Sequence, residues 1–151
     1  MTDAFDADAI IYAAVRDHPL GRRVRALFRQ PSSWQFAGTG SVLLLPEILS
    51  KPLRDGDAAE ARILAGLLAR IDLRPVDRAT ADLATALGCK YGLGAPDATH
   101  LASAVAIGAD RFITNNQRDF PQAAISEIRV TYPADLPDLP DSDDSPGKPA
   151  L

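Results

Sequence analysis

The sequence predicts an α/β fold: a three-layer α/β/α sandwich around a central parallel sheet. Three observations lead there. Short β-type runs, at residues 2–6, 35–38, 72–76, 110–114 and 128–132, alternate with longer segments whose apolar residues recur at helical spacing, the order that a parallel sheet covered on both faces produces. Pro96 near the start of one such segment and Gly108 at its end are the punctuation a helix uses. At 151 residues, 46% apolar and 24% charged, the chain has material for one ordinary core.

Taken in order, residues 2–6 form a strand ending at Asp6, and Asp8 is placed to cap the helix that carries the apolar run 9–14. "PLGRRVRALFRQ" sets Val24, Leu27 and Phe28 on one helical face and Arg22, Arg25 and Arg29 along another. In "WQFAGTGSVLLLPEILSKPL" a strand at 35–38 gives way, through the glycines, to a helix from about Ser41, with Pro46 the obstacle to that start. "DAAEARILAGLLARI" aligns Ala61, Leu64, Leu68 and Ile71 before the strand "DLRPV". A helix from about Arg78 to Tyr91 stops at Gly92 and Gly94, and "APDATHLASAVAIGA" follows with Asp97 beside its N-terminal end. "DRFIT" and "IRVTY" close the sheet. The folded domain is expected over residues 1–132.

Residues 133–151 hold five Pro, five Asp, one Lys and no aromatic side chain, a composition that cannot repay the entropy of ordering and reads as a disordered tail. The tail also carries the whole net charge of -4, since residues 1–132 hold 15 basic and 15 acidic side chains. A neutral total leaves room for a local basic patch, so nucleic acid is not excluded as a partner. The acidic start, the single Cys89 and the lack of any apolar run of membrane-spanning length point to a cytoplasmic protein without disulfides.

In an open parallel sheet, functional groups gather beyond the C-terminal strand ends. Asp6, Glu47, Asp97 and the "TNN" of residues 114–116 all fall there. Acids so gathered repel one another unless a hard cation joins them, and Mg²⁺ or Mn²⁺ prefers such oxygen ligands.

"FDADAIIYA", "LLLPEIL", "GLGAPDATHLASAVAIGADRFITNNQRDF" and "IRVTYP", in this order, resemble a PIN domain of the kind found in VapC toxins of bacterial toxin–antitoxin pairs, over nearly all of residues 4–133. The resemblance implies a metal-dependent endoribonuclease using Mg²⁺ or Mn²⁺, a small VapB-like antitoxin, and a homodimer. It places Asp6, Glu47 and Asp97 as the first three acids. The family's fourth acid falls at Asn116, which keeps a ligand oxygen and loses the charge; Asp8 or Asp119 would compensate. Thr114 is placed to bond a phosphate or orient the attacking water.

Other readings stand beside these. "DADAI" also resembles the opening of haloacid-dehalogenase-type phosphatases, with Asp6 as nucleophile and Asp8 as acid, although Lys51, Lys90 and Lys148 lack that family's late acid pair. A PIN-like fold weakened at Asn116 would be a binding module. Asp8 reads as a cap before a ligand, His100 as a packed or surface histidine, and His18 as loop. Arg22, Arg25 and Arg29 fit a solvated face as well as an RNA-binding one, and Trp34, Cys89 and Tyr91 fit packing. If the acidic tail reaches those arginines, it competes with RNA at low salt.

Overall fold

The computed structural model describes residues 1–29 and 35–141. Five short strands, β1 (Asp3–Phe5), β2 (Gly38–Ser41), β3 (Ile71–Arg74), β4 (Arg111–Ile113) and β5 (Arg129–Thr131), form one sheet in the order β3-β2-β1-β4-β5. Every pairing is parallel. The chain leaves β1 through α1 (Ala7–Ala14) and α2 (Pro19–Leu27) to reach β2, then passes α3 (Leu44–Arg54) and α4 (Ala58–Leu68) to β3. From β3 it crosses by α5 (Arg78–Tyr91) and α6 (Ala95–Ile107) to β4, on the other side of β1. Strand order therefore reverses at β1, and such a switch opens a crevice at the C-terminal ends of the strands.

Side-chain alternation along the strands builds two cores. Phe5 and Ile113 face Ile10, Val24, Leu44, Ile48 and Leu64 from α1 to α4. Their chain neighbours Ala4 and Phe112 face Leu87, Ala98 and Leu101 from α5 and α6. Successive strand residues point to opposite faces, so one buried strand feeds both layers. At the end of the sheet away from the crevice, Arg111 clamps Asp3 through two bonds of 2.7 and 2.9 Å.

The second strand lies at Gly38–Ser41, three residues later than expected, and α3 starts at Leu44. The glycines belong to the strand because β1 comes so close: a Cβ on Gly38 would sit 2.3 Å from the Asp3 carbonyl oxygen and 2.6 Å from the Phe5 ring. Pro46 falls in the first turn of α3, where its missing N–H has no intrahelical partner to lose. Trp34 lies outside the described residues.

His18 is a cap rather than loop. Its Nδ1 accepts from the Gly21 N–H at 3.1 Å, and its ring stacks on Tyr12 with centroids 4.4 Å apart. Asp6 takes the cap position of α1 that was assigned to Asp8.

Order also persists beyond Tyr132. A 3-10 turn (Pro133–Asp135) leads into Leu136, which is 2% exposed and packs in the first core. Arg23 holds this segment by its Ala134 and Leu136 carbonyls at 2.8 and 2.7 Å. One buried leucine and an arginine donor thus settle nine residues, 133–141, whose composition reads as disordered; residues 142–151 lie outside the described residues.

Candidate active site

Asp6 ends β1 and opens α1, so its carboxylate points into the crevice as the helix cap. Oδ1 accepts from the Ala7 N–H at 2.8 Å and Oδ2 from the Thr114 hydroxyl at 2.7 Å. The group is 4% exposed. Burial raises its pKa above the carboxylate range, against the Thr114 bond, the His100 charge and the Ala7 N–H.

Thr114 follows β4 and is fully buried. Its hydroxyl donates to Asp6 and accepts from the Asn116 N–H at 3.1 Å. The hydroxyl that the sequence reading offers to a phosphate or the attacking water is instead engaged on both sides: it fixes the Asp6 rotamer and ties β1 to the loop after β4.

That loop brings in two more acids. Asp8, in the first turn of α1, accepts from the Asn115 N–H at 3.1 and 3.2 Å. Its pKa is pushed up to about 6, first by burial and then by the charge of Asp6. Asn116 uses its amide inside the loop: Nδ2 donates to Asp119 Oδ2 at 2.9 Å and Oδ1 accepts from the Asp119 N–H at 3.2 Å. The amide at the fourth acid's position thus orients a carboxylate three residues on.

Asp97 lies in the first turn of α6, and its pKa is also pushed up to about 6, by burial and then by Asp6, Asp119 and Glu47, with His100 opposing. These mutual effects show that acids from four separate segments share one field. Glu47, in the first turn of α3, meets His100, one turn after Asp97 on α6, in a short contact of Oε2 with Nε2.

The His100 ring is fully buried, contrary to a surface reading, and it packs into the acid cluster. Burial alone would lower its pKa, but the Glu47 bond and the charges of Asp6, Glu47 and Asp97 outweigh that and raise it. Its Nδ1 has no partner among the described residues. A histidine one helical turn beyond an acid is the signal that could have found it.

The two described lysines are held elsewhere, Lys51 by Asp55 and Lys90 by Glu127, both at 2.7 Å. The phosphatase reading, which needs a lysine at the acids, is set aside. Arg22, Arg25 and Arg29 lie outside the crevice on a partly exposed face, where they meet the C-terminal segment, as described below.

The donors suit a hard divalent cation in kind, being carboxylate oxygens with excess negative charge. Among the described residues no three His, Cys, Asp or Glu side chains stand grouped ready to grip an ion. Glu47 is engaged by His100, so an ion would compete with that contact, whereas Asp6 and Asp8 accept hydrogen bonds that leave lone pairs on their carboxylates. An apolar hollow of about 240 Å³ between Leu43, Pro46, Glu47 and Pro96 borders the acids. No helix among the described residues is long and apolar enough to cross a membrane.

The sequence matches the family model described as PIN domain over residues 4–126. Among solved structures, the fold is similar to a chain of a toxin–antitoxin complex from Klebsiella pneumoniae, with TM-score 0.66 and 22% identity, covering 88% of this chain and 98% of that one. It is also similar to a chain of VapBC2 from Rickettsia felis bound to a DNA fragment from their promoter, with TM-score 0.68 and 16% identity, covering 87% and 98%. At these identities the likeness is one of fold. No curated protein matches the chain.

Proposed function

We propose that this chain, which belongs to the PIN domain family, is a metal-dependent endoribonuclease and the toxin of a type II toxin–antitoxin pair. The observation that carries the reading is crowded acid: Asp6, Asp8, Glu47, Asp97 and Asp119 share one crevice with a single histidine to offset them, and Asp8 and Asp97 are both pushed up to about 6. A folded protein keeps such a cluster when it has a cation to bind.

Asp6, Glu47 and Asp97 are the proposed ligands of Mg²⁺ or Mn²⁺, with Asp8 and Asp119 adding charge at its edge. When bound, the ion would neutralise a phosphoryl oxygen and make water acidic enough to attack. Thr114 and the Ala7 N–H hold Asp6 in one rotamer, so its ligand geometry is set before substrate arrives. Asn116 does the same for Asp119.

The toxin role rests on likeness of fold to chains from toxin–antitoxin structures. It implies a cytoplasmic protein, a homodimer, and a small VapB-like antitoxin whose segment over the crevice would place an arginine among the acids in the cation's stead. A second reading, a binding module without catalysis, is favoured by one observation, the lack of a ready three-donor cluster among the described residues.

Calorimetric titration of the purified protein with Mn²⁺, paired with sequencing of RNA 5′ ends after brief induction, tests the proposal. Mn²⁺ binding and discrete new ends support the nuclease. An absence of binding at millimolar metal favours the module.

A further inference from the structure

Helix α2 and the residues just past it concentrate Arg22, Arg23, Arg25 and Arg29 in a body, residues 1–132, whose total charge is zero with them included, and α2 contains no acid. Arg22 grips Asp138 through two parallel bonds, Nε to Oδ1 at 3.0 Å and Nη2 to Oδ2 at 2.8 Å. Arg25 and Arg29 share Asp141, each at 3.2 Å, and Arg29 also donates to the Pro140 carbonyl at 2.6 Å. The carboxylates paired with these arginines, Asp138 and Asp141, come from the C-terminal segment, while Asp17 lines the hollow beside Arg22 without an ion pair to it. Paired guanidinium bonds fit a carboxylate and a phosphate alike.

The arginine face is continuous with the acid crevice. Asp8 holds the Asn115 N–H, the Asn115 side-chain amide reaches the Tyr12 hydroxyl at 3.5 Å, and Tyr12 stacks on His18. His18, Arg16, Arg22 and Asp141 then line a hollow of about 260 Å³. A nucleic-acid strand seated in the crevice and leaving past Tyr12 meets Arg22 next.

We propose that the α2 arginine face binds the backbone phosphates of the RNA substrate beside the cleavage site, and that Asp138 and Asp141 are a built-in competitor occupying it. The inference rests on the nuclease reading for the identity of the strand. Two features make the competitor removable. Its ion pairs are exposed, with 40% and 43% of the Arg22 and Asp138 side chains open to solvent, so salt screens them and each is weak. Its root is fixed, because Leu136 stays in the core and Arg23 holds the backbone. The segment therefore lifts from Asp138 onward without unfolding the domain, and its tether keeps its local concentration on the order of millimolar.

The test uses the full chain, a fluorescent oligouridine and fluorescence anisotropy without divalent cation, across a salt series. Asp138→Asn with Asp141→Asn leaves Leu136 and Arg23 in place and should tighten binding roughly three- to tenfold at low salt, a gain that fades as salt rises. Arg22→Gln with Arg29→Gln should weaken binding and reduce the salt slope by about 1.4, since each phosphate contact on a single strand contributes about 0.7. Equal affinities for wild type and the asparagine variant at every salt concentration overturn the proposal. So does a gain confined to the antitoxin, which would assign the face to a protein. RNA cleavage by wild type with Mn²⁺ is read in parallel. Cleavage without any shift in binding overturns this inference alone, and shifts in binding without cleavage overturn the nuclease reading while the face stands.

Discussion

His100 and Glu47 lie 53 residues apart in sequence and meet in the crevice, Nε2 against Oε2, with the His100 ring fully buried. The contact joins α3 to α6 across the mouth of the site. It also sets a group that gains positive charge on protonation against one of the proposed metal ligands, which would tie proton binding to metal binding.

Replacing His100 should reveal that competition. His100→Gln keeps a hydrogen-bond donor for Glu47 and removes the proton-linked charge. Calorimetry should then show tighter Mn²⁺ binding than wild type at pH 6 and little difference at pH 8, where the histidine carries less charge. A weaker variant at both pH values would mean that His100 supports the ion rather than displacing it.

The acids give a stability profile whose sign is fixed. Asp8 and Asp97 are raised from 3.8 to about 6 in the fold, so they favour the folded state fully below 3.8 and lose that contribution as pH rises through about 6. His100, raised above 6.5, changes in the same direction at higher pH. Without divalent cation, the part of Tm owed to these groups should fall between pH 4 and about 7, and Mn²⁺ should restore it at pH 7.5. A metal-free Tm that climbs across that range would mean that other groups dominate.

Asn116→Asp adds a fourth acid, but it also removes the donor that holds Asp119 and sets two carboxylates together. The variant should cleave RNA at lower metal concentration and melt earlier in chelator. Asp119→Asn should raise the metal requirement. Cleavage unaffected by either change would put the loop outside the site.

Leu136 tests the reach of the domain. Leu136→Ala empties a fully packed position and should cost about 2–5 kcal/mol in urea unfolding. A loss below about 0.5 kcal/mol would show that the segment is not docked in solution.

The alternation of strands and helices, the placement of Asp6 at the end of the first strand and the position of Asp97 were legible because each is a local pattern with a local cause; which of Asp6 and Asp8 caps α1 was not, since both precede the apolar run. The role of His100 was not, since a lone histidine on an apolar helix face looks the same whether it meets a leucine or a glutamate. Nor was the docking of Leu136. A single apolar residue among prolines and aspartates gives no periodic signal, and only the core beside α2 makes it a buried position. The shift of β2 has the same origin: Gly38 looked like a break because the close approach of Asp3 and Phe5 is a tertiary fact.

The central claim is that the crowded acids serve metal-dependent RNA cleavage. The direct measurement is hydrolysis of end-labelled RNA by purified wild type and Asp97→Asn, with and without Mn²⁺. The account predicts cleavage by wild type only with metal, and loss of at least a hundredfold in the folded variant, as expected when a metal's ligand charge is removed. Equal cleavage by both proteins, or cleavage by wild type in chelator, would contradict it.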